Sequence, residues 1–163
     1  MGRVKRVYFV RGVYHICIRG NNRQMILREE QDKAAFLETL NKYKKRFGFK
    51  LYGFVIMDNH AHLVLETDNN NNISRVMQAI TLSYSQKFRN KYYYTGYVWQ
   101  GRFKSQVIDG DNYILGCLNY IHNNPVRAGI VYEAKDYFWS SYHSHANEDS
   151  ALKNMVTVDT LKF

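Results

Sequence analysis

The chain has 163 residues, which fits one compact domain plus a short tail, and 45% of them are hydrophobic, enough for a real core. Two cysteines without paired spacing, Cys17 and Cys117, argue against a disulfide framework or zinc knuckle and read as small buried thiols in a reducing cytoplasm; no apolar signal core and no bilayer-length apolar run is present. Charge is lopsided, with 23 Lys and Arg against 14 Asp and Glu for a net charge of +9, and its mixture with 14 tyrosines suits single-stranded nucleic acid, because phosphates attract cations and unpaired bases stack on flat rings.

In chain order, Tyr14 to Arg19 alternates Tyr14, Ile16 and Ile18 against His15, Cys17 and Arg19, a strand with one apolar face that Gly20-Asn21-Asn22 breaks. From about Glu29 to Phe47, Phe36, Leu40, Tyr43 and Phe47 recur every three or four positions, an amphipathic helix stopped by Gly48. Leu51 to Met57 is apolar on both faces and reads as a buried strand; Asp58-Asn59 turns the chain, and His60 to Glu66 returns as the next strand. After a polar loop, Ile73, Val76, Met77, Ile80, Tyr84 and Phe88 mark a second helix. A tyrosine-rich turn at Tyr92 to Tyr94 leads to a fourth strand, Phe103 to Ile108. Asp111 is expected to cap a third helix with the stripe Ile114, Cys117, Leu118 and Ile121, ended near Asn124 by Pro125, the one proline of the chain. This order predicts an α+β, ferredoxin-like (RRM-like) antiparallel sheet with two helices on one face and an extra C-terminal helix. The expected division is a domain over 1–145 and a C-terminal tail over 146–163, polar and then apolar at Met155, Val156 and Val158.

His60 and His62 stand two apart on a strand, so both imidazoles leave one face while Ala61, Leu63 and Leu65 point to the helices. Imidazole pairs bind divalent metals, and a third ligand must come from elsewhere. Tyr120 and Asn124 lie at i and i+4 beside the apolar stripe, which could present a nucleophile and a metal ligand together. His15 is the reserve ligand. If the first and third strands are central neighbours, His15, Cys17 and Arg19 lie beside the histidine pair, with Lys104 and Gln106 one strand further out. Each feature taken singly is more often an ordinary surface histidine, a packing tyrosine or a solvated strand face.

Taken together, five segments resemble the single-tyrosine HUH transposases of the insertion-sequence 200/605 type, and in particular the REP-associated tyrosine transposases. They are Gly12-Val13-Tyr14-His15 with Arg19-Gly20-Asn21, Met57-Asp58-Asn59-His60-Ala61-His62-Leu63, Gln100-Gly101-Arg102-Phe103-Lys104, Tyr120-Ile121-His122-Asn123-Asn124-Pro125-Val126-Arg127-Ala128-Gly129, and Trp139-Ser140-Ser141-Tyr142. The resemblance implies that His60 and His62 are the histidine pair, Asn124 the third metal ligand and Tyr120 the nucleophile on the extra helix. Ala61 is small where the family's name implies a bulky residue, but it points away from the site.

The implied chemistry is transesterification on single-stranded DNA that carries a hairpin, with Mg²⁺ or Mn²⁺ as cofactor, a 5′-phosphotyrosine intermediate and a released 3′-hydroxyl. Arg19, Arg102, Lys104 and Arg127 are the candidate phosphate contacts, with the basic start Arg3-Val4-Lys5-Arg6 behind them. The expected setting is the bacterial cytoplasm, on the nucleoid and away from membranes, as a homodimer or a monomer. Rival classes are a catalytically inactive hairpin-DNA-binding descendant and a generic RNA-binding ferredoxin-like domain; intact His60, His62, Tyr120 and Asn124 argue against both. Tyr113, seven residues before Tyr120, lacks a following amide in phase, because position 117 is Cys117.

Overall fold

A computed structural model describes residues 12–146 and 150–162, so the basic stretch Arg3 to Arg6 lies outside the described residues. Four strands, β1 (Gly12–Arg19), β2 (Lys50–Ile56), β3 (His60–Thr67) and β4 (Lys104–Ile108), form one antiparallel sheet in the order β2-β3-β1-β4. The first and third strands are therefore the central neighbours. Paired residues in an antiparallel ladder share a face. Cys17 opposite His62, Arg19 opposite His60 and His15 opposite Val64 put the polar set of β1 on the face of the histidine pair. Lys104 opposite Cys17 and Gln106 opposite His15 extend that face across β4.

The other face carries Tyr14, Ile16, Ile18, Ala61, Leu63 and Leu65, all buried. It is covered by helices α1 (Glu30–Phe47) and α2 (Ile73–Tyr92), whose apolar stripes are the ones the sequence shows. Helix α1 begins in a capping box between Glu29 and Asp32 and closes on Gly48 in the left-handed region at φ 71°. Tyr92 lies inside α2 instead of starting a turn: its hydroxyl donates to Asp32 and its ring packs on Phe88, so it closes the helical layer.

Helix α3 (Asp111–His122) belongs to the opposite layer and crosses the histidine face over β2 and β3. This is why β2 is buried on both faces. Gly53 makes the seat: a Cβ built there would run into Leu118, with Ser141 Oγ 3.2 Å away. Gly110, not Asp111, is the N-cap; Asp111 is the first helical residue, where its charge meets the positive end of the helix. The helix ends at His122, and Asn124 opens a separate short helix, α4 (Asn124–Arg127), with Pro125 in its first turn, where a missing N–H does no harm. Cys17 and Cys117, expected to be buried, are half-buried and free.

The outer edge of β2 is closed by the chain's own C-terminal segments, which removes an open row of backbone donors and acceptors. Ile56 N–H donates to Trp139 O at 2.8 Å and Ser141 N–H to Phe54 O at 2.9 Å. The tail continues the seal: Asp159 N–H donates to Leu51 O at 2.7 Å, and the Asp159 carboxylate pairs with Lys44 at 2.8 Å. Leu152 and Val156 are buried, so the tail packs on the domain.

Candidate active site

Three elements converge on the sheet face: β1 supplies His15, β3 supplies His60 and His62, and the α3–α4 junction supplies Tyr120 and Asn124. His62 is buried and its Nδ1 lies 2.9 Å from His15 Nε2, while its Nε2 faces the Asn124 amide at 3.2 Å. His60 Nδ1 meets Asn59 Oδ1 at 2.6 Å. That oxygen can only accept, so His60 carries its proton on Nδ1 and presents an Nε2 lone pair. With the Asn124 amide donating to His62 Nε2, His62 is likewise protonated on Nδ1, and His15 Nε2 accepts from it.

Burial holds all three imidazoles below their ordinary pKa. It is the first cause for His15, His60 and His62, and it takes His62 down to about 3, assisted by the charges of His15, His60, Arg19 and Arg127. The pair is therefore neutral at pH 7, and the His62 Nε2 lone pair accepts from the Asn124 amide. Among the described residues no group of three or more His, Cys, Asp or Glu side chains could hold a metal ion. The available donor set is two neutral imidazoles and one amide, which fits a divalent ion that must keep positions open for phosphate. Asn124 does not point away but faces His62, and His15 Nε2 lies within hydrogen-bond distance of His62 Nδ1.

Tyr120 sits on the last turn of α3, 48% exposed, with the buried Leu118 and Ile121 anchoring that turn. Its ring meets His15 and His62 edge-on at 6.0 and 6.2 Å. Arg127 reaches back from α4: its guanidinium carbon lies 4.0 Å from the Tyr120 ring centroid and its Nη2 donates to Tyr120 O at 2.9 Å. Tyr113 is further up α3 and lines a cleft of about 430 Å³ with His15, Gln106, Asp109 and Cys117.

Of the four candidate phosphate contacts, Arg19 is exposed directly opposite His60, and Lys104 is exposed opposite Cys17. Arg19 and Arg102 line a second cleft, about 450 Å³, with Trp99 and Phe103 in its wall. Arg127 is exposed as well and also engages Tyr120. Sequence reasoning missed three supports. Asn59 orients His60, and its place in the turn before the pair gave the only signal. His122 Nε2 is 2.8 Å from Ser141 Oγ, which joins α3 to the strip that edges β2; both residues fell in segments quoted for other reasons. The Arg127 stack on Tyr120 had no signal beyond its position seven residues on.

Residues 9–124 match the pattern of the IS200-like transposase family. A protein of Haemophilus influenzae that bears the name REP-associated tyrosine transposase is 25% identical over 136 residues, covering 72% of this chain and 77% of its own length. A solved structure described as a REP-associated tyrosine transposase bound to a REP hairpin superposes with a TM-score of 0.75, at 19% identity, over 100% of this chain and 93% of the other. A structure described as a transposase from Deinococcus radiodurans gives a TM-score of 0.52 at 16% identity, over 76% and 95%. The two structural likenesses speak for the fold.

Proposed function

Because the chain belongs to the IS200-like transposase family, we propose that it cuts and rejoins single-stranded DNA beside a hairpin by way of a covalent bond to Tyr120. The observation that carries this reading is the convergence of Tyr120, His60, His62 and Asn124 on one sheet face, from segments far apart in sequence. The neutral, tautomer-fixed imidazoles beside an exposed tyrosine suit a metal-assisted phosphoryl-transfer site, and a solvated strand face has no use for them. A divalent ion such as Mg²⁺ or Mn²⁺, held by His60, His62 and Asn124, would polarise the scissile phosphate and offset charge on its oxygens.

The protein's own part is positional. The Tyr120 hydroxyl attacks the phosphorus; the bond to the 3′-oxygen breaks, leaving a 3′-hydroxyl, and the 5′ side stays on the tyrosine as a phosphodiester. The phenolic proton passes to solvent as the new bond forms, and the departing 3′-oxygen takes up a proton from solvent to become the hydroxyl. Attack by a 3′-hydroxyl on that link reverses the steps and restores the phenol, so rejoining needs no nucleotide cofactor. Arg19 and Lys104, exposed on the histidine face, and Arg102, exposed in the cleft that Arg19 shares with α2, would bind the flanking phosphates. The likeness to a structure that holds a REP hairpin supports a hairpin-bearing strand as substrate.

The test is a strand-cleavage assay with Mn²⁺ on labelled single strands with and without a hairpin. The expected products are a polymerase-extendable 3′-hydroxyl and a 5′ end blocked by protein. A free 5′-phosphate would mean hydrolysis by water and would overturn the reading.

A further inference from the structure

An exposed tyrosine on the last turn of a helix has several rotamers open to it, yet a nucleophile must meet phosphorus in one. Helix α3 does not hold Tyr120 by itself, because its ring is about half exposed and meets the histidines only by ring edges. The hold comes from beyond the helix break. Had the helix run on unbroken, residues 120 and 127 would be separated by about 10 Å along its axis, at about 1.5 Å per residue. The Asn123–Pro125 junction instead lets Arg127 fold its guanidinium over the Tyr120 ring at 4.0 Å while Nη2 donates to the Tyr120 carbonyl at 2.9 Å.

We propose that Arg127 is a positioning residue for the nucleophile: one guanidinium clamps both the ring and the backbone of Tyr120 and so sets its rotamer before DNA arrives. The planar fork is what makes this possible. Guanidinium stacks on an aromatic face and still directs N–H donors in its own plane, whereas an ammonium is a point charge that can satisfy one of the two. This assigns Arg127 to the nucleophile and not to the phosphate backbone, and it rests on the reading of Tyr120 as the nucleophile.

The test compares wild type, Arg127→Ala and Arg127→Lys in single-turnover adduct formation with Mn²⁺ and saturating hairpin-bearing strand, alongside DNA affinity at several salt concentrations. Misplacement of a reacting group by about 1 Å costs up to about 100-fold, so Arg127→Ala should slow the adduct step roughly 10- to 100-fold with affinity within about twofold of wild type. Arg127→Lys should fall between the two. A second measurement reads the clamp directly: in protein labelled with 3-fluorotyrosine, the Tyr120 resonance, assigned by its loss in Tyr120→Phe, should shift in Arg127→Ala. The proposal is overturned if Arg127→Ala leaves the saturated rate unchanged but weakens binding and lowers the salt slope by about one, the signature of a lost phosphate contact. An unmoved resonance with normal adduct formation overturns the clamp alone. A wild-type protein that never forms an adduct overturns the role of Tyr120, and the proposal with it.

Discussion

His62 has both ring nitrogens engaged, one toward His15 and one toward the Asn124 amide. These neighbours choose its ring plane and tautomer; in the proposed metal site the ion would take Nε2 in place of the Asn124 N–H while His15 keeps Nδ1, and a partner of that kind is typically worth about 10- to 100-fold in metal affinity. His15→Ala should therefore weaken Mn²⁺ binding by about that factor in a calorimetric titration, with His60 and His62 still present; unchanged affinity would return His15 to an ordinary strand histidine. A second histidine, His122, reports on stability. Burial, then the charge of His145, brings its pKa down to about 4, against about 6.5 in an unfolded chain. Below pH 6.5 the unfolded chain takes up a proton that the folded chain refuses, so stability is highest above 6.5 and falls as pH drops toward 4. The slope is about 1.4 kcal/mol per pH unit for this one group. Urea denaturation between pH 7 and 5 should show that loss, and His122→Gln, which keeps a partner for Ser141, should flatten it by about the same amount; an equal slope in both proteins would assign the loss to other groups.

At the scale of elements, the seat of α3 decides whether Tyr120 meets the histidines at all. Gly53 leaves room for Leu118, so Gly53→Ala forces the Leu118 side chain to shift. Overpacking of this kind costs about 1–3 kcal/mol. The expected outcome is a lower denaturation midpoint together with slower cleavage, while Ala61→Gly, on the other face, should lower stability without a matching loss of rate at saturating DNA. Equal effects on rate would mean that the glycine seat has no special link to the site. The seat was not legible in the sequence, where Gly53 reads as one more residue of a buried strand. The strands and the two long helices were legible because Tyr14–Ile18 alternates and Phe36–Phe47 and Ile73–Phe88 keep helical spacing over many residues. The helix cap was misplaced by one residue because Asp111 is a common cap and Gly110 works as one only through its backbone at φ 99°. Closure of the β2 edge by Trp139–Ser141 and Asp159 joins segments about 85 to 108 positions apart, as Ser141 with Phe54 and Asp159 with Leu51 show, and periodicity is a local signal.

At the scale of the whole molecule, a net charge of +9 supplies attraction to any polyanion, and only the arrangement of charge selects among them. Exposed Arg19, Arg102 and Lys104 lie around one sheet face and one cleft with an aromatic wall, which suits a strand with unpaired bases better than a smooth duplex. Hairpin-bearing single strands should therefore bind more tightly than the matching blunt duplex at fixed salt, and Lys104→Glu should lower the slope of log affinity against log salt by about one or more. Equal affinity for the two forms would contradict that selection. The residues that the five-segment resemblance singled out, the histidine pair, the tyrosine and the amide, do come together in the structure; how they are held was not legible, since His15, Asn59 and Arg127 act through contacts between elements. The central claim is that Tyr120 alone takes up DNA covalently, and mapping the denaturation-resistant adduct by mass spectrometry tests it most directly. After incubation with Mn²⁺ and a hairpin-bearing single strand, the account predicts one modified peptide, containing Tyr120, which disappears in Tyr120→Phe and in His62→Ala while DNA affinity in Tyr120→Phe stays near wild type. An adduct on Tyr113, or one that survives Tyr120→Phe, would contradict it.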